Sequence, residues 1–537
     1  MLALGIRYLT GYAVATDVSN RRRAEWPPHP ARVFMAMAAA YFETGEDPDE
    51  RAALEWIEQQ AGFPAIVASK AIPRDIVTCY VPVNDMEVPK RPERLAPKKA
   101  KAAMVIIPQY RSNKQPRTFP RVRVSHDQQA EPVPVFLIWP DASPEAPILT
   151  ALKKLCEKVI RIGHSSSLVQ MWVEENPPPP NLQPDDLGMH RMRTVGRGTL
   201  KMLAKSYNRE AIEEWADLQE QIANAKGKAK KMLREQLAER FGDREPRSLR
   251  PVISRWQGYR PVAEDETSPL LTGAFDPNLL VLCIDEGPTI GLESTWRLLT
   301  AMHKTILKQC DPTPEWLSGH QRDGSPSQRA HVAFMPLGFV GREYADGHLM
   351  GIALAFPKDI EPRERGRALT GLFYDGEGRP KEIAVNLGSL GSWRVSRELR
   401  PSPPYTLQVP RWIGPCDTWA TVTPIVLDRH PKTDRAKNRQ QWSLEVADVI
   451  AASCERQGLP RPVGIDVDKT SWFCGAPRAV AGQGSGFSLM PVKSGRSPRQ
   501  QVHAWLRFDQ PITGPLLLGA GRYRGYGVCR PWTEHRT

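Results

Sequence analysis

The chain has 537 residues, which is more than one ordinary hydrophobic core organises, so the length predicts two domains or more. Lysine and arginine number 73 against 60 aspartate and glutamate residues, and the net charge of +13 favours a polyanionic partner. The eight cysteines include no Cys-x-x-Cys pair, which argues against a zinc ribbon and against a disulfide framework. We therefore expect a reduced, intracellular protein.

No apolar run reaches the length that crossing a membrane requires. The first apolar run, residues 2–8, contains Arg7 and has no basic segment before it, so it predicts a strand and not a signal peptide. No carboxylate cluster has the spacing of a metal site. These features predict a cytoplasmic protein that uses no membrane, metal or cofactor.

The first half of the chain, residues 1–265, is predicted to form one domain. Proline just before and glycine just after the first helical stretch are the expected boundary residues of a helix. The predicted elements in chain order are a strand over 2–8, helices over 31–44 and 47–62, a strand over 133–139, a helix over 146–160 and a strand over 167–173. Strand–helix–strand units of this length build ferredoxin-like folds.

Two segments of the first half stand apart from these elements. Residues 85–125 are rich in lysine, arginine and proline and include Tyr110 and Phe119. They are either a solvated loop or a basic arm that lies along an RNA backbone or a neighbouring subunit. Residues 209–241 carry a narrow apolar stripe on an otherwise charged helix or helix pair, which predicts an insertion that packs against one partner at most.

The second half, residues 266–537, repeats one order of elements. A first set comprises a strand over 279–284, a helix over 292–310, strands over 331–335 and 349–356, a helix over 361–373 and a strand over 383–387. A second set comprises a strand over 419–427, a helix over 444–455, a strand over 463–467 and a closing strand over 502–508. Strand–helix–strand–strand–helix–strand is the ferredoxin-like order, so two tandem modules are expected here.

The closing strand leads into a glycine-rich loop, residues 514–527, called the glycine loop below. Glycine is needed where φ is positive or where another backbone comes close. The arginines between these glycines suit phosphates and the tyrosines suit stacked bases, although a tight hairpin with merely solvated arginines is the alternative. No Lys-Ser/Thr pair follows the glycines, as a P-loop would require. The candidate RNA-binding residues are Gly519, Gly521, Arg522, Tyr523, Arg524, Gly525, Tyr526 and Gly527.

The stretch from Leu516 to Gly527 resembles the C-terminal glycine-rich loop of the repeat-associated (RAMP) proteins of CRISPR systems. It looks most like the large fused subunit of type I-G systems, formerly called I-U. The segments 26–32, 161–167 and 335–351 also resemble sequences of this family. The resemblance implies an α+β fold of tandem ferredoxin-like (RRM-like) modules, one in the N-terminal half and two in the C-terminal half.

The resemblance also implies a function. The first half would bind the 5′ handle of a guide RNA, and the second half would cleave precursor CRISPR RNA within repeats, without a metal. The expected partners are CRISPR RNA and the other subunits of a Cascade-type effector complex, namely its repeated backbone subunit and its large subunit. The main alternative is a subunit of the same build that binds RNA without cutting it. A duplex-DNA-binding regulator is disfavoured, because the sequence has no helix-turn-helix or zinc finger.

Cleavage without a metal uses the RNA's own 2′-hydroxyl, so the protein must move protons near pH 7, for which histidine is suited. In the resembling endoribonucleases the key histidine lies on or just after the first helix of the first module, which maps to His303 or His320. His320 is favoured because its polar loop has glycine hinges and Arg322 close by. His331 is a further candidate, whereas His303 is more typical of a packed structural histidine. The predicted catalytic residues are thus His320, His331 and His303.

Overall fold

The computed structural model describes residues 1–18, 20–74, 76–81, 115–124, 133–242, 255–262, 271–400, 402–482, 486–492 and 497–533. They belong to two compact units. Unit 1 comprises residues 1–184 and 190–262, and unit 2 comprises residues 185–189 and 263–537. The predicted boundary between residues 265 and 266 lies in a segment outside the described residues.

Unit 1 combines twelve strands with six helices within its described residues. The strands are β1 (Leu2–Tyr8), β2 (Tyr12–Val14), β3 (Ala65–Val67), β4 (Ile72–Pro73), β5 (Thr78–Val81), β6 (Gln115–Thr118), β7 (Arg121–Arg123), β8 (Val135–Trp139), β9 (Val169–Glu174), β10 (Leu182–Pro184), β11 (His190–Arg193) and β12 (Trp256–Pro261). The helices are α1 (Pro30–Glu43), α2 (Pro48–Glu58), α3 (Ala146–Lys158), α4 (Thr199–Ser206), α5 (Arg209–Asn224) and α6 (Gly227–Phe241).

The main sheet of unit 1 has seven strands in the order β11-β12-β10-β3-β8-β1-β9. β1 lies between β8 and β9 and pairs antiparallel with both. Leu4 and Leu137 from these strands are buried in one core with Phe34 of α1 and Leu152 of α3. Both α1 and α2 begin with proline, and the Asp47 side chain caps α2 by accepting two backbone N–H groups.

The two segments set apart by the sequence differ in how much of them is described. Residues 209–241 form a helix pair, α5 and α6, with a small core of their own that includes Leu218 and Phe241. Most of the basic segment 85–125, including Tyr110, lies outside the described residues. Its described end, residues 115–124, contains β6 and β7, which the sequence did not predict.

Unit 2 contains the remaining strands and helices of the described ranges. The strands are β13 (Leu271–Thr272), β14 (Leu280–Glu286), β15 (Ala333–Gly338), β16 (Leu349–Ala355), β17 (Ile383–Asn386), β18 (Ser392–Arg397), β19 (Cys416–Thr421), β20 (Ile425–Val426), β21 (Gly464–Asp468), β22 (Gln501–Thr513) and β23 (Cys529–Pro531). The helices are α7 (Thr295–Gln309), α8 (Glu315–Ser318), α9 (Pro362–Phe373), α10 (Pro410–Ile413) and α11 (Arg439–Glu455).

Unit 2 has two sheets. The first has the order β15-β16-β14-β18-β17, and all its neighbours are antiparallel. The second has the order β13-β22-β19-β23, and β20 and β21 also pair with β22. The strand predicted over 419–427 is two strands, β19 and β20, with a break between them. Between β22 and β23 the described chain forms no helix, and the glycine loop occupies this position.

The protein is therefore a mixed α/β chain with mainly antiparallel sheets. Its largest core cluster joins α7, β15 and the glycine loop through Leu298, Phe334 and Leu517. A second cluster packs α11 against β19 and β22. Within the described ranges, no helix combines the length and the apolar character that crossing a bilayer requires.

Candidate active site

The glycines of the glycine loop allow it to pack closely against its surroundings. Gly519, Gly525 and Gly527 have φ of +79°, +81° and +68°, a region that residues with a side chain rarely adopt. A Cβ atom on Gly525 would collide with Leu299 of α7 and crowd Pro336 of β15. The loop therefore lies directly against α7 and β15, which a larger residue at position 525 would prevent.

Several amides of the glycine loop already bond to backbone groups of the chain. The Arg524 N–H donates to the Gly521 carbonyl at 2.9 Å, and the Gly527 N–H donates to the Pro424 carbonyl at 2.8 Å. Tyr526 is fully buried, and its hydroxyl donates to the Ser488 carbonyl at 2.9 Å. These amides and this ring are not available to an RNA strand, so the contacts expected from the loop rest on its other side chains.

Three side chains of the loop, at positions 522–524, are only partly buried. The guanidinium of Arg522 lies 4.6 Å from the centroid of the Tyr523 ring. The Nη1 atom of Arg524 is buried and has no hydrogen-bond partner among the described residues, and burial lowers the pKa of this guanidinium. A buried donor atom without a partner is costly, so the Arg524 guanidinium is suited to an anion that enters from outside the chain.

His331 lies against the glycine loop. Its ring stacks on Tyr523 with the centroids 3.5 Å apart and the planes inclined by 24°. The turn after α8 also touches this ring, because Gly319, with φ of +74°, brings its backbone against it. The Phe334 N–H donates to the Tyr523 carbonyl at 3.3 Å and joins the start of β15 to the loop.

The surroundings keep His331 neutral at pH 7. Burial, as the largest cause, and the charges of Arg524 and Arg522 together lower its pKa to about 4, while a backbone contact with Arg329 opposes them. The buried Nδ1 atom has no hydrogen-bond partner in the described part of the chain. His331 thus provides a neutral imidazole near the cationic side chains of Arg522 and Arg524.

His303 is buried within α7, as expected of a packed histidine. Its Nε2 atom donates to the Leu317 carbonyl at 3.2 Å, and its ring meets Phe334 edge-on with the centroids 5.3 Å apart. Burial lowers its pKa to about 4, and Arg524 and His331 act in the same direction. The hydrogen bond from Nε2 to the main chain fixes the orientation of this buried ring.

His320 is exposed and lies in an ordered turn. The Gln321 N–H donates to the Ser325 carbonyl at 2.8 Å, and the Ser327 N–H donates to the Gly319 carbonyl at 2.9 Å. The Nδ1 atom of His320 bonds the Ser318 carbonyl at 3.1 Å, so Nδ1 carries the proton and Nε2 remains able to accept one. The charge of His320 acts on the pKa of both His303 and His331, so the three rings lie within electrostatic range.

The structure thus stacks His331 on Tyr523 and brings His303 and His331 near Arg524, while His320 follows Gly319, whose backbone touches the His331 ring. The charge of Arg524 lowers the pKa of both His303 and His331, and that of Arg522 also lowers the pKa of His331, so cations suited to a phosphate lie near both rings. No group of three or more metal-binding side chains occurs within the described ranges. The sequence predicts each of these residues separately. The stacking of His331 on Tyr523 joins positions 192 residues apart in the chain, and no local sequence pattern indicates it.

A protein-family model identifies the class of protein. The model of the CRISPR-associated protein, GSU0054 family (Cas_GSU0054), matches residues 5–208 and 396–531, which together make up more than half of the chain. The chain belongs to this family. The matched residues include the whole glycine loop, whereas His303, His320 and His331 lie in the unmatched stretch 209–395. No curated protein is detectably similar to this CRISPR-associated chain.

Several solved structures are similar to part of the CRISPR-associated chain at low identity. "Crystal structure of Cas6b" is 12% identical over 47% of this chain and 98% of its own, with a TM-score of 0.27. "CRISPR associated protein Cas6" is 12% identical over 48% and 98%, also with a TM-score of 0.27. A chain from "Characterization of a Cas6-related gene from Pyrococcus furiosus" is 12% identical over 48% and 98%, with a TM-score of 0.21. With TM-scores this low, the functional argument rests on the site itself.

Proposed function

We propose that the chain is a metal-independent endoribonuclease that cleaves precursor CRISPR RNA within repeats and retains the mature guide RNA. The observation that carries the proposal is the stacking of His331 on Tyr523 beside the unpartnered Nη1 atom of Arg524. A neutral histidine next to a partly buried guanidinium with an unpartnered donor atom suits a phosphodiester whose neighbouring hydroxyl must lose a proton. Membership of a CRISPR-associated family supports CRISPR RNA as the substrate.

The reaction needs two proton transfers and one site for negative charge. The 2′-oxygen attacks the adjacent phosphorus, the P–O5′ bond breaks, and the products are a 2′,3′-cyclic phosphate and a 5′-hydroxyl. One histidine takes the 2′-hydroxyl proton and another donates a proton to the leaving 5′-oxygen. We assign these transfers to His320, whose Nε2 is able to accept a proton, and to His331, whose Nδ1 is buried in the free chain and has no hydrogen-bond partner among the described residues. His303 is bonded to the main chain and supports them. Arg522 and Arg524 stabilise the charge on the phosphorane.

Three ferredoxin-like modules account for the strand orders. In such a module the first strand lies between the third and the fourth. β3-β8-β1-β9 in unit 1 has this order, as do β15-β16-β14-β18 and β21-β22-β19-β23 in unit 2. We assign one module to unit 1 and two to unit 2, in a fused subunit of the type I-G kind. In the last module, the glycine loop stands where a second helix would otherwise lie.

Unit 1 is proposed to bind the 5′ handle of the guide RNA. A cleft of about 480 Å³ in this unit is lined by Trp26 and by four arginines, Arg22, Arg23, Arg74 and Arg121. The Nε atom of Arg121 is buried and lacks a hydrogen-bond partner among the described residues, while its guanidinium lies over the Tyr12 ring at 4.6 Å. Cations beside an aromatic ring suit single-stranded RNA. The repeated backbone subunit and the large subunit of the effector complex are the proposed protein partners.

The test is cleavage of a labelled cognate repeat RNA in excess EDTA. Wild-type protein is expected to cut, and a 2′-deoxy nucleotide at the cut site is expected to block cutting. His331→Ala and His320→Ala should each lose cleavage while RNA binding is kept. His348→Ala is the matched control, because His348 bonds Asp346 at 2.5 Å and is not among the charges that shift the candidate histidines.

A scaffold that binds RNA without cutting it is the second candidate. One observation favours it: the family match contains the glycine loop but none of the three candidate histidines. Binding of the repeat RNA by wild-type protein without any cleavage would support this scaffold role. Cleavage that persists with the 2′-deoxy substrate would contradict the proposed mechanism instead.

A further inference from the structure

A second cluster of cations lies in unit 2 outside the candidate active site. The guanidinium groups of Arg342 and Arg411 both lie over the Tyr405 ring, at 3.9 and 4.2 Å from its centroid. Both arginines are exposed, and Tyr405 is partly buried. We call these residues, together with Arg530, the arginine–tyrosine cluster. A guanidinium stacked on an aromatic ring is held flat, so its N–H groups are pre-organised for an anion.

Arg530 places a buried charge behind the two exposed arginines. It is only 5% exposed, its guanidinium lies 4.2 Å from the Phe473 ring centroid, and its Nη1 atom donates to the Val340 carbonyl at 3.0 Å. The fold makes room for it with a glycine: Gly341 has φ of +68°, and a Cβ there would collide with the Arg530 guanidinium. The charges of Arg342 and Arg411 both act on Arg530, so the three guanidinium groups lie close together.

Arg530 bonds a backbone carbonyl and not a carboxylate, and the charges that act on it include those of Arg342 and Arg411. Another buried arginine of unit 2, Arg365, shows the usual solution, because it bonds the Asp276 carboxylate at 2.6 Å. Like charges brought together without a counter-charge oppose folding, and burying one of them costs more. The cluster is therefore suited to an anionic ligand that is not part of the described chain.

An exposed aromatic residue close to Arg342 in the chain indicates the kind of anion. Tyr344, two residues after Arg342, is 87% exposed and has φ of +61°. A positive φ is unfavourable for a tyrosine, and the turn nevertheless holds this ring out in solvent. Flat guanidinium groups that bind phosphates, next to an exposed ring that can stack on a base, are typical of single-stranded nucleic acid sites. An acidic protein segment would use the charges but would have no need of the ring.

We propose that the arginine–tyrosine cluster and Tyr344 bind a single-stranded segment of the same RNA that the candidate active site cleaves. This inference rests on the proposed function. β15 connects the two sites: Phe334 at its start bonds the glycine loop, and Val340 just after its end bonds Arg530. At about 3.3 Å per residue, these ends lie about 20 Å apart. The RNA is therefore held at two points, and the cluster contributes to affinity and not to the chemical step.

The experiment compares two double variants that each remove two exposed arginines. Arg342→Ala/Arg411→Ala changes the cluster, whereas Arg363→Ala/Arg367→Ala changes two exposed arginines of α9 by the same total charge. The dissociation constant of the uncut 2′-deoxy repeat RNA is measured over a range of salt concentrations. Losing two phosphate contacts should reduce the slope of log K against log salt by about 1.4, whereas the α9 variant keeps the wild-type slope. The saturated cleavage rate should be unchanged in both.

Two further variants separate charge from stacking. Arg342→Lys/Arg411→Lys should restore the salt slope but not the full affinity, because an ammonium is not a flat stacking group. Tyr344→Ala should weaken binding by about tenfold with the slope unchanged. Wild-type binding with an unaltered slope in the cluster variant would overturn this inference and leave the proposed function intact. Failure of the wild-type protein to bind the repeat RNA would overturn both.

Discussion

The pH dependence of cleavage tests the role proposed for His331. In the free protein, burial and the nearby arginines lower the pKa of His331 to about 4. A bound phosphodiester brings one negative charge. At about 5 Å and an effective dielectric constant of about 20, that charge stabilises an imidazolium by about 3 kcal/mol, or about two pKa units. The pKa of His331 in the RNA complex is therefore expected to be about 6.

Two rate constants separate the free protein from the complex. With a labelled repeat RNA in EDTA, the second-order rate constant should fall only towards about pH 4, whereas the rate at saturating protein should fall below about pH 6. Circular dichroism at each pH confirms that the protein stays folded. His331→Asn keeps a polar side chain that transfers no proton, and it should lower the saturated rate by about 10²–10⁴-fold. Coincident acid limbs in the wild type, or a loss below about tenfold in the variant, would refute the assignment.

Three more predictions concern the loop and the buried histidines. Gly525→Ala forces a side chain into α7 and β15 and should abolish cleavage, whereas Gly371→Ala, in α9 with open space around it, should leave cleavage intact and raise the urea-unfolding free energy by about 0.5–1 kcal/mol; equal cleavage by both variants would contradict the packing argument. Tyr526→Phe loses a buried hydrogen bond and should cost about 1 kcal/mol of unfolding free energy without changing RNA affinity; weaker RNA binding would return Tyr526 to the RNA contacts. His303 and His503 have pKa values lowered from 6.5 to about 4, chiefly by burial, so above pH 6.5 they cost no stability. As pH falls from 6.5 to about 4, these two histidines bind protons in the unfolded chain but not in the folded one, and each histidine should lower the unfolding free energy by up to about 3 kcal/mol. An unfolding free energy in urea that does not change with pH would contradict this.

Most elements of the fold could be predicted from hydrophobic periodicity and from proline and glycine boundaries. The helix predicted over 31–44 is α1, and the strand predicted over 279–284 lies within β14 except for its first residue. The alternating cationic and apolar residues around Trp393 left open either a cationic strand face or an RNA contact, and the structure makes residues 392–397 the strand β18, paired with β14. The break between β19 and β20 includes Thr423 and Pro424, and the prediction of one strand overlooked this proline because the flanking residues are all buried. Periodicity measures burial, and here burial continues through the turn.

The candidate site was predicted residue by residue but not as an arrangement. The sequence favoured His320 because it lies in a polar loop, and this preference stays a prediction. The sequence ranks His331 below His320, although partly buried His331 is the histidine that stacks on the glycine loop. The sequence predicts the same role for Tyr523 and Tyr526 because both lie between glycines, yet the Tyr526 ring is in the core and the Tyr523 ring is partly exposed. Which side of a loop faces the core depends on its tertiary partners, and sequence spacing does not contain that information.

The glycine loop explains why the last sheet of unit 2 has no helix between β22 and β23. An α-helix with its side chains is about 10–12 Å across, so a helix here would hold its backbone well away from β15. The glycine loop instead forms a bridge in which Arg524 pairs with Phe334 as neighbouring strands do, at a backbone separation of about 5 Å. Only at that separation can the Tyr523 ring lie flat on His331 while Arg524 reaches the same histidine. The glycines therefore act by letting the loop backbone come close to β15, which brings the loop's aromatic side chain Tyr523 onto His331.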